Sequence, residues 1–334
     1  MIVSHKILPY LFAVVAFFGH AQEVPPIGVF SPQDYGAEDQ NWAIDQSETN
    51  VIYVANNQGL LEYNGATWRL YNSPNDGILR SVRVVGDRIY SGGYRDFGYW
   101  TKNNFGDLYY TSLALNDKFS VKQDEEFWGI INIEGYVLFQ SLERIYIYNT
   151  RDESFKIIDS ELRINKMFKV EETIYFQKMN LGVFRIENGE EVLHIPASEI
   201  DNKEVINIFN FEGSLLLQTK ERGFYTFNNG NINKWVIPFD SVLSKVSVYS
   251  SVRLEDGSFI LGTISNGIFY LDNEGKLLHN IDQSKGLSNN TVLSIKEDSY
   301  GNVWLGLDNG INVLNINSPF TVYKDMQGVL GTVY

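Results

Sequence analysis

The chain has 334 residues, no cysteine, a formal charge of −14 and 14% aromatic residues. Lacking cysteine, it has no disulfide framework, thiolate metal site or cysteine nucleophile. So acidic a chain repels phosphate backbones and anionic membranes, which excludes nucleic-acid binding through this region.

The first element read along the chain is a targeting segment. Lys6 supplies a positive charge, an apolar run follows over 7–18, and Gly19-His20-Ala21 ends it with small residues at the −3 and −1 positions. This pattern predicts a secretory signal peptide over 1–21, cut after Ala21. The run is too short to span a bilayer, and no cysteine is present for lipid attachment. Periplasmic or extracytoplasmic placement is therefore expected. Residues 22–40 read as a lead-in segment.

From residue 41 to 323 one pattern is written seven times: an apolar strand, a tight polar turn, a second strand, a third strand opened by glycine and a ragged fourth. The units fall at 41–71, 78–113, 125–159, 164–195, 205–237, 248–281 and 292–323. The opening glycine recurs at Gly59, Gly98, Gly182, Gly223, Gly267 and Gly310, with Arg144 filling the slot in the third unit. A period near 42 with four strands per unit predicts an all-β fold, a seven-bladed β-propeller of four-stranded antiparallel blades. Units three to five are the most degenerate. Turns such as Glu255-Asp256-Gly257-Ser258 lack the alternating ligands of a calcium loop and read as structural. Gly262 and Gly306, at the ends of second strands, predict a close approach of backbone near the ring interior. Residues 324–334 read as the start of a further, truncated unit, and the chain as a fragment of a larger receptor.

The segment Gly286-Leu287-Ser288-Asn289-Asn290-Thr291-Val292, followed by Ile295, Asp298, Gly301, Trp304, Gly306 and Gly310, resembles the two-component-regulator propeller repeat. Ser31-Pro32-Gln33-Asp34-Tyr35-Gly36-Ala37 and Leu61-Glu62-Tyr63-Asn64-Gly65-Ala66-Thr67-Trp68 are similar to the opening of sensors in that family. The resemblance implies an extracytoplasmic sensor of Bacteroidetes type. One or two propellers would precede a triple-tyrosine module, a transmembrane helix and a histidine-kinase or LuxR-type output, with a homodimer as the working state. Membrane attachment would come only through that downstream helix.

Catalytic signatures are absent. His194 and His279 fall on outer strands of different units, and pairs such as Glu125-Glu126 and Glu190-Glu191 read as solvated faces. No enzyme activity, cofactor or metal is expected. Propellers bind ligands around the channel mouth, on the face made by second-to-third-strand and inter-blade loops. Against the acidic background, Arg95, Lys178, Lys220 and Arg222 stand out there, beside Tyr94 and Trp128. These six are the candidate binding residues for a small-molecule or oligosaccharide ligand, through charge-assisted hydrogen bonds and ring stacking. The competing reading pairs Arg95 with Asp96 and Lys220 with Glu221 as exposed ion pairs of little energetic weight. The leading expectation is a ligand-sensing or interaction propeller of a membrane-bound regulator. A secreted carbohydrate-active enzyme and a secreted adhesion propeller are the alternatives.

Overall fold

The computed structural model describes residues 23–117 and 119–323. Seven four-stranded antiparallel sheets follow one another along the chain as the blades of a propeller. Blades 1 to 6 span 41–72, 79–112, 129–159, 164–196, 205–235 and 248–281. In each of them four strands succeed one another by hairpins, and the first strand lies beside the first strand of the next blade. The first strand of blade 7, Val292–Glu297, packs on that of blade 1, Asn41–Gln46, so the ring is closed.

Blade 7 is completed from the other end of the chain. Residues 292–314 give three strands, and the outer fourth is Ile27–Phe30, paired antiparallel with Ile311–Leu314. Just ahead of it, Glu23–Val24 pairs with Val322–Tyr323. The sequence reading set 22–40 ahead of the propeller and took the seventh unit entirely from 292–323; the structure moves that boundary. The chain leaves the blade after Leu314, and the exposed ladder groups of the third strand are satisfied by the early segment instead. The expected signal peptide at 1–21 and the expected further unit at 324–334 lie outside the described residues.

The core is distributed over seven seams, one between each pair of neighbouring blades. Ile44, Val54, Leu61, Trp304 and Ile311 fill the seam from blade 7 to blade 1, closed from above by Tyr35. The seam between blades 2 and 3 is aromatic, with Phe97 4.5 Å from both Phe127 and Phe139. Second strands are covered on both faces, so Ile52–Asn56, Phe259–Thr263 and Val303–Leu307 are buried throughout. Each large apolar side chain so enclosed contributes roughly 1.5–3 kcal/mol.

The recurring glycine has a steric cause. A Cβ at Gly59, Gly98, Gly182 or Gly267 would stand 2.1 Å from a backbone carbonyl oxygen of the following fourth strand. No side chain fits between strands that close.

Candidate ligand site at the channel mouth

Near the start of the first strand, in every blade but the third, the pairing with the second strand skips a residue. In blade 1, Asn41 opposes Asn56 and Ala43 opposes Ala55, leaving Trp42 as the extra residue. Arg80, Ile206, Tyr249 and Leu293 are skipped in the same way in blades 2, 5, 6 and 7. Trp128 in blade 3, just ahead of Gly129, and Asn165 in blade 4, within the irregular step from Ile164 to Met167, hold the corresponding places. A bulge re-aims the extra residue out of the alternation. Seven such residues stand around the mouth of the central channel.

In blades 1 to 3 three of them form one stack. The Arg80 guanidinium lies 4.1 Å from the Trp42 ring centroid and 4.5 Å from that of Trp128, and the two indoles meet edge to face at 5.9 Å. Arg80 also contacts Glu126 at 3.4 Å. Such a sandwiched cation is held by the ring faces as well as by its carboxylate partner.

Across blades 3 to 6 the mouth opens into a cavity of about 520 Å3, lined by Trp128, Asn165, Ile206 and Tyr249 together with Arg163, Lys166, Glu204 and Lys220. That volume suits a small ligand. Lys166 reaches from blade 4 to blade 6, where its ammonium donates to the Tyr249 carbonyl at 3.3 Å and sits 5.6 Å from the Tyr249 ring. The Lys166 side chain is exposed to the cavity, with protein packed around its ammonium end. That enclosure lowers its pKa, with Glu204 pulling the other way. Tyr249 has its phenol pKa raised by burial; the Arg80 charge opposes the shift and Glu204 adds to it. Glu204 is itself engaged by Lys220 at 3.3 Å.

The six residues singled out from sequence separate here. Trp128 and Lys220 line the cavity. Lys178 is only 6% exposed and is paired with Glu191 at 2.6 Å. It also does not share the ring position of Lys220: Lys178 opposes Ile164 as Thr219 opposes Val205, so Thr219 is its counterpart. Arg95 lies at a separate depression with residues 114–117 and 119–121. Its backbone has a φ of 57° and its N–H donates to Glu125. Tyr94 donates its hydroxyl to Asp124. Arg222 is exposed, and its carbonyl accepts from Lys234. The proposed pairs of Arg95 with Asp96 and Lys220 with Glu221 are replaced: Ser112 donates to Asp96, and Lys220 turns to Glu204.

Sequence reasoning missed Trp42, Arg80, Arg163, Lys166 and Tyr249. A signal was present in the runs Leu79-Arg80-Ser81, Phe127-Trp128-Gly129 and Val248-Tyr249-Ser250, where an odd residue stands between an apolar and a small one. Glu125 also departs from the expected solvated face. It is buried and accepts from Ser141 at 2.6 Å and Tyr146 at 2.9 Å, anchoring the long connection into blade 3.

The motif residues of the sequence resemblance build the scaffold. Asp298 accepts from the backbone of Tyr300 and Asn302 and from the Trp304 indole at 2.9 Å, closing the turn between the first two strands of blade 7. Asn64 accepts from the N–H groups of Ala66 and Thr67, and Tyr63 stacks on Trp68 at 4.6 Å.

Residues 286–309 match the family described as two component regulator propeller. A curated relative, histidine kinase P4 of Formosa agariphila, is 25% identical over 221 residues, which is 59% of this chain and 16% of the kinase. The chain thus aligns with a small part of that protein's length. Among solved structures, the extracellular domain of BT4673 from B. thetaiotaomicron, assigned to a one component system, superposes with a TM-score of 0.69 at 19% identity. The superposition covers 87% of this chain and 40% of that one. Streptogramin B lyase, an enzyme, also gives 0.69 at 15% identity, covering 87% and 97%. At these identities the structural likeness shows the fold alone.

Proposed function

We propose that this chain, a propeller carrying the two-component-regulator repeat, is the extracytoplasmic sensing part of a membrane-bound signal-transduction protein. The observation that carries the reading is the repeat itself. Its Asp298, Trp304 and Gly306 are committed to the frame of blade 7, and the frame leaves a mouth whose lining differs from blade to blade. The relation to a histidine kinase supports the signalling half of the reading. The acidic exterior and the leader-like residues 1–21 support placement outside the cytoplasm. In this reading a small molecule or oligosaccharide enters the mouth, biases how the propeller packs on its neighbours in a homodimer, and so shifts the output state.

The lyase likeness supports a second reading, an enzyme on the same ring. The carboxylate lining the cavity, Glu204, is engaged by Lys220, an arrangement that suits charge balance better than proton transfer.

A reporter for the regulated genes in the source organism tests the proposal. Trp128→Ala in the full-length protein is expected to abolish the inducer response while leaving protein level unchanged. An inducer response that persists after removal of residues 23–323 would overturn it.

A further inference from the structure

We infer that the cavity between blades 3 and 6 takes a small hydroxylated anion, a carboxylate- or sulfate-bearing ligand whose charged group is held by Arg163 and Lys166. The inference deepens the sensing proposal and relies on it only for the assumption that ligand enters at the mouth.

The charge distribution is the first ground. In a chain of net −14, Arg80, Arg163, Lys166 and Lys220 converge on the mouth, against Glu126 and Glu204. Arg80 is matched by Glu126 and Lys220 by Glu204. Neither Arg163 nor Lys166 forms an ion pair among the described residues, Glu204 acting on Lys166 only from a distance.

The second ground is what those two groups do in the absence of an anion. Arg163 lines the cavity with no side-chain partner among the described residues. Lys166 lies across the channel on a backbone carbonyl, a neutral acceptor for a charged donor. Both side chains are exposed to the cavity, and a cation whose partner is neutral or missing gains a charge-assisted hydrogen bond when an anion arrives. Arg163 offers a planar fork that matches a carboxylate or sulfate in bidentate fashion.

The third ground is the rest of the wall. The Tyr249 hydroxyl has no partner among the described residues, and Asn165 spends its amide N–H on the Met179 sulfur at 3.1 Å, leaving its carbonyl oxygen to accept. Trp128 and Ile206 supply apolar surface beside them. This set suits a ligand with hydroxyls and an apolar ring face as well as its charge.

Calorimetric titration of the purified chain with glucuronate, with inorganic sulfate and with neutral glucose tests the inference. Saturable binding of glucuronate is expected, weakened at least about tenfold, which is about 1.4 kcal/mol, by either Arg163→Ala or Lys166→Met. Arg163→Lys should restore part of the loss, and the thermal midpoints of the ligand-free variants should match the parent. Equal binding of glucose, or binding unchanged in both variants, would overturn the inference, as would no saturable heat with either anion up to about 50 mM. If glucuronate binds but the reporter gives no response to any anion-bearing inducer, the sensing proposal fails and the anion site stands. If the reporter answers a neutral oligosaccharide and glucuronate does not bind, the anion site fails and sensing stands.

Discussion

Blades 2, 6 and 7 join their successors differently from blades 3 and 4. In the first group a serine on the first strand donates to a carbonyl of the next blade: Ser81 to Phe127 at 2.8 Å, Ser250 to Val292 at 2.9 Å and Ser294 to Asn41 at 3.2 Å. A glycine opposite each serine makes the approach feasible, since a Cβ at Gly92, Gly262 or Gly306 would meet the serine hydroxyl and the next blade within 2.9 Å. In blades 3 and 4 a buried glutamine takes over. Gln140 donates to the Ile164 carbonyl at 3.1 Å, while Gln177 donates to the Lys203 carbonyl and accepts from the Val205 N–H at 2.8 Å. Blade 5 has the glutamine, Gln218, fully buried with neither amide atom partnered.

Small residues meet at the serine seams, whereas at the seams from blade 3 to blade 6 a long buried glutamine acts as the spacer. The cavity opens on the spaced side. Weak repetition in the middle of the sequence therefore coincides with a different joint, and the cavity lies over that joint.

The sharpest way to break this contrast is to spoil a tight seam. Gly306→Val forces a side chain against Ser294 and the Asn41 carbonyl. It is expected to cost about 3 kcal/mol or more, read as a fall in the urea midpoint or as loss of soluble protein. On the spaced side, Gln177→Leu leaves the Lys203 carbonyl and Val205 N–H unmatched. About 1–3 kcal/mol of destabilisation is expected in the same assay. Gln218→Leu at the equivalent place removes two polar atoms that have no partner. Its midpoint should stay level or rise by up to about 1 kcal/mol, and a loss matching that of Gln177→Leu would refute the distinction between the two joints.

The smallest effect concerns pH. His194 bridges the outer rim of blades 4 and 5, packed 5.0 Å from Phe227, with Arg185 3.3 Å away. Burial first, and then the Arg185 charge, lower its pKa below the ordinary 6.5. The unfolded chain therefore takes up the proton first, so this contribution to stability is intact above the ordinary histidine pKa and declines as pH falls below it. His194→Gln should flatten the decline in urea midpoint between pH about 7.5 and about 5. An unchanged slope would show that the rim of this seam does not feel the proton.

The number of blades, their order and most strand positions were legible in sequence because each blade repeats the same apolar alternation and the same close-packed glycine. The closure was not. Ile27-Gly28-Val29-Phe30 is short, with Val29 49% exposed, and it reads as a strand only when its partner Ile311–Leu314 is known. Of the six residues chosen from sequence as chemically odd, Trp128 and Lys220 line the cavity. Arg80 and Tyr249 were hidden because a bulge puts its extra residue out of phase with the alternation that sequence reading follows. Lys178 was misplaced for a related reason: one residue along a second strand decides between the channel side and a buried pair with Glu191.

The borrowed outer strand also orders events in time. Gly28 and Asn312 are in contact across 284 residues of sequence. This early strand must wait for nearly all the rest before it finds its partner, a long loop to close and a slow kind of contact. While it waits, a longer and more apolar edge would invite pairing with other chains. Four residues with a glycine among them, preceded by Pro25 and Pro26, make a poor template for a stranger and a sufficient one for blade 7. The ring is thus latched by a segment whose weakness protects it until the last blade arrives.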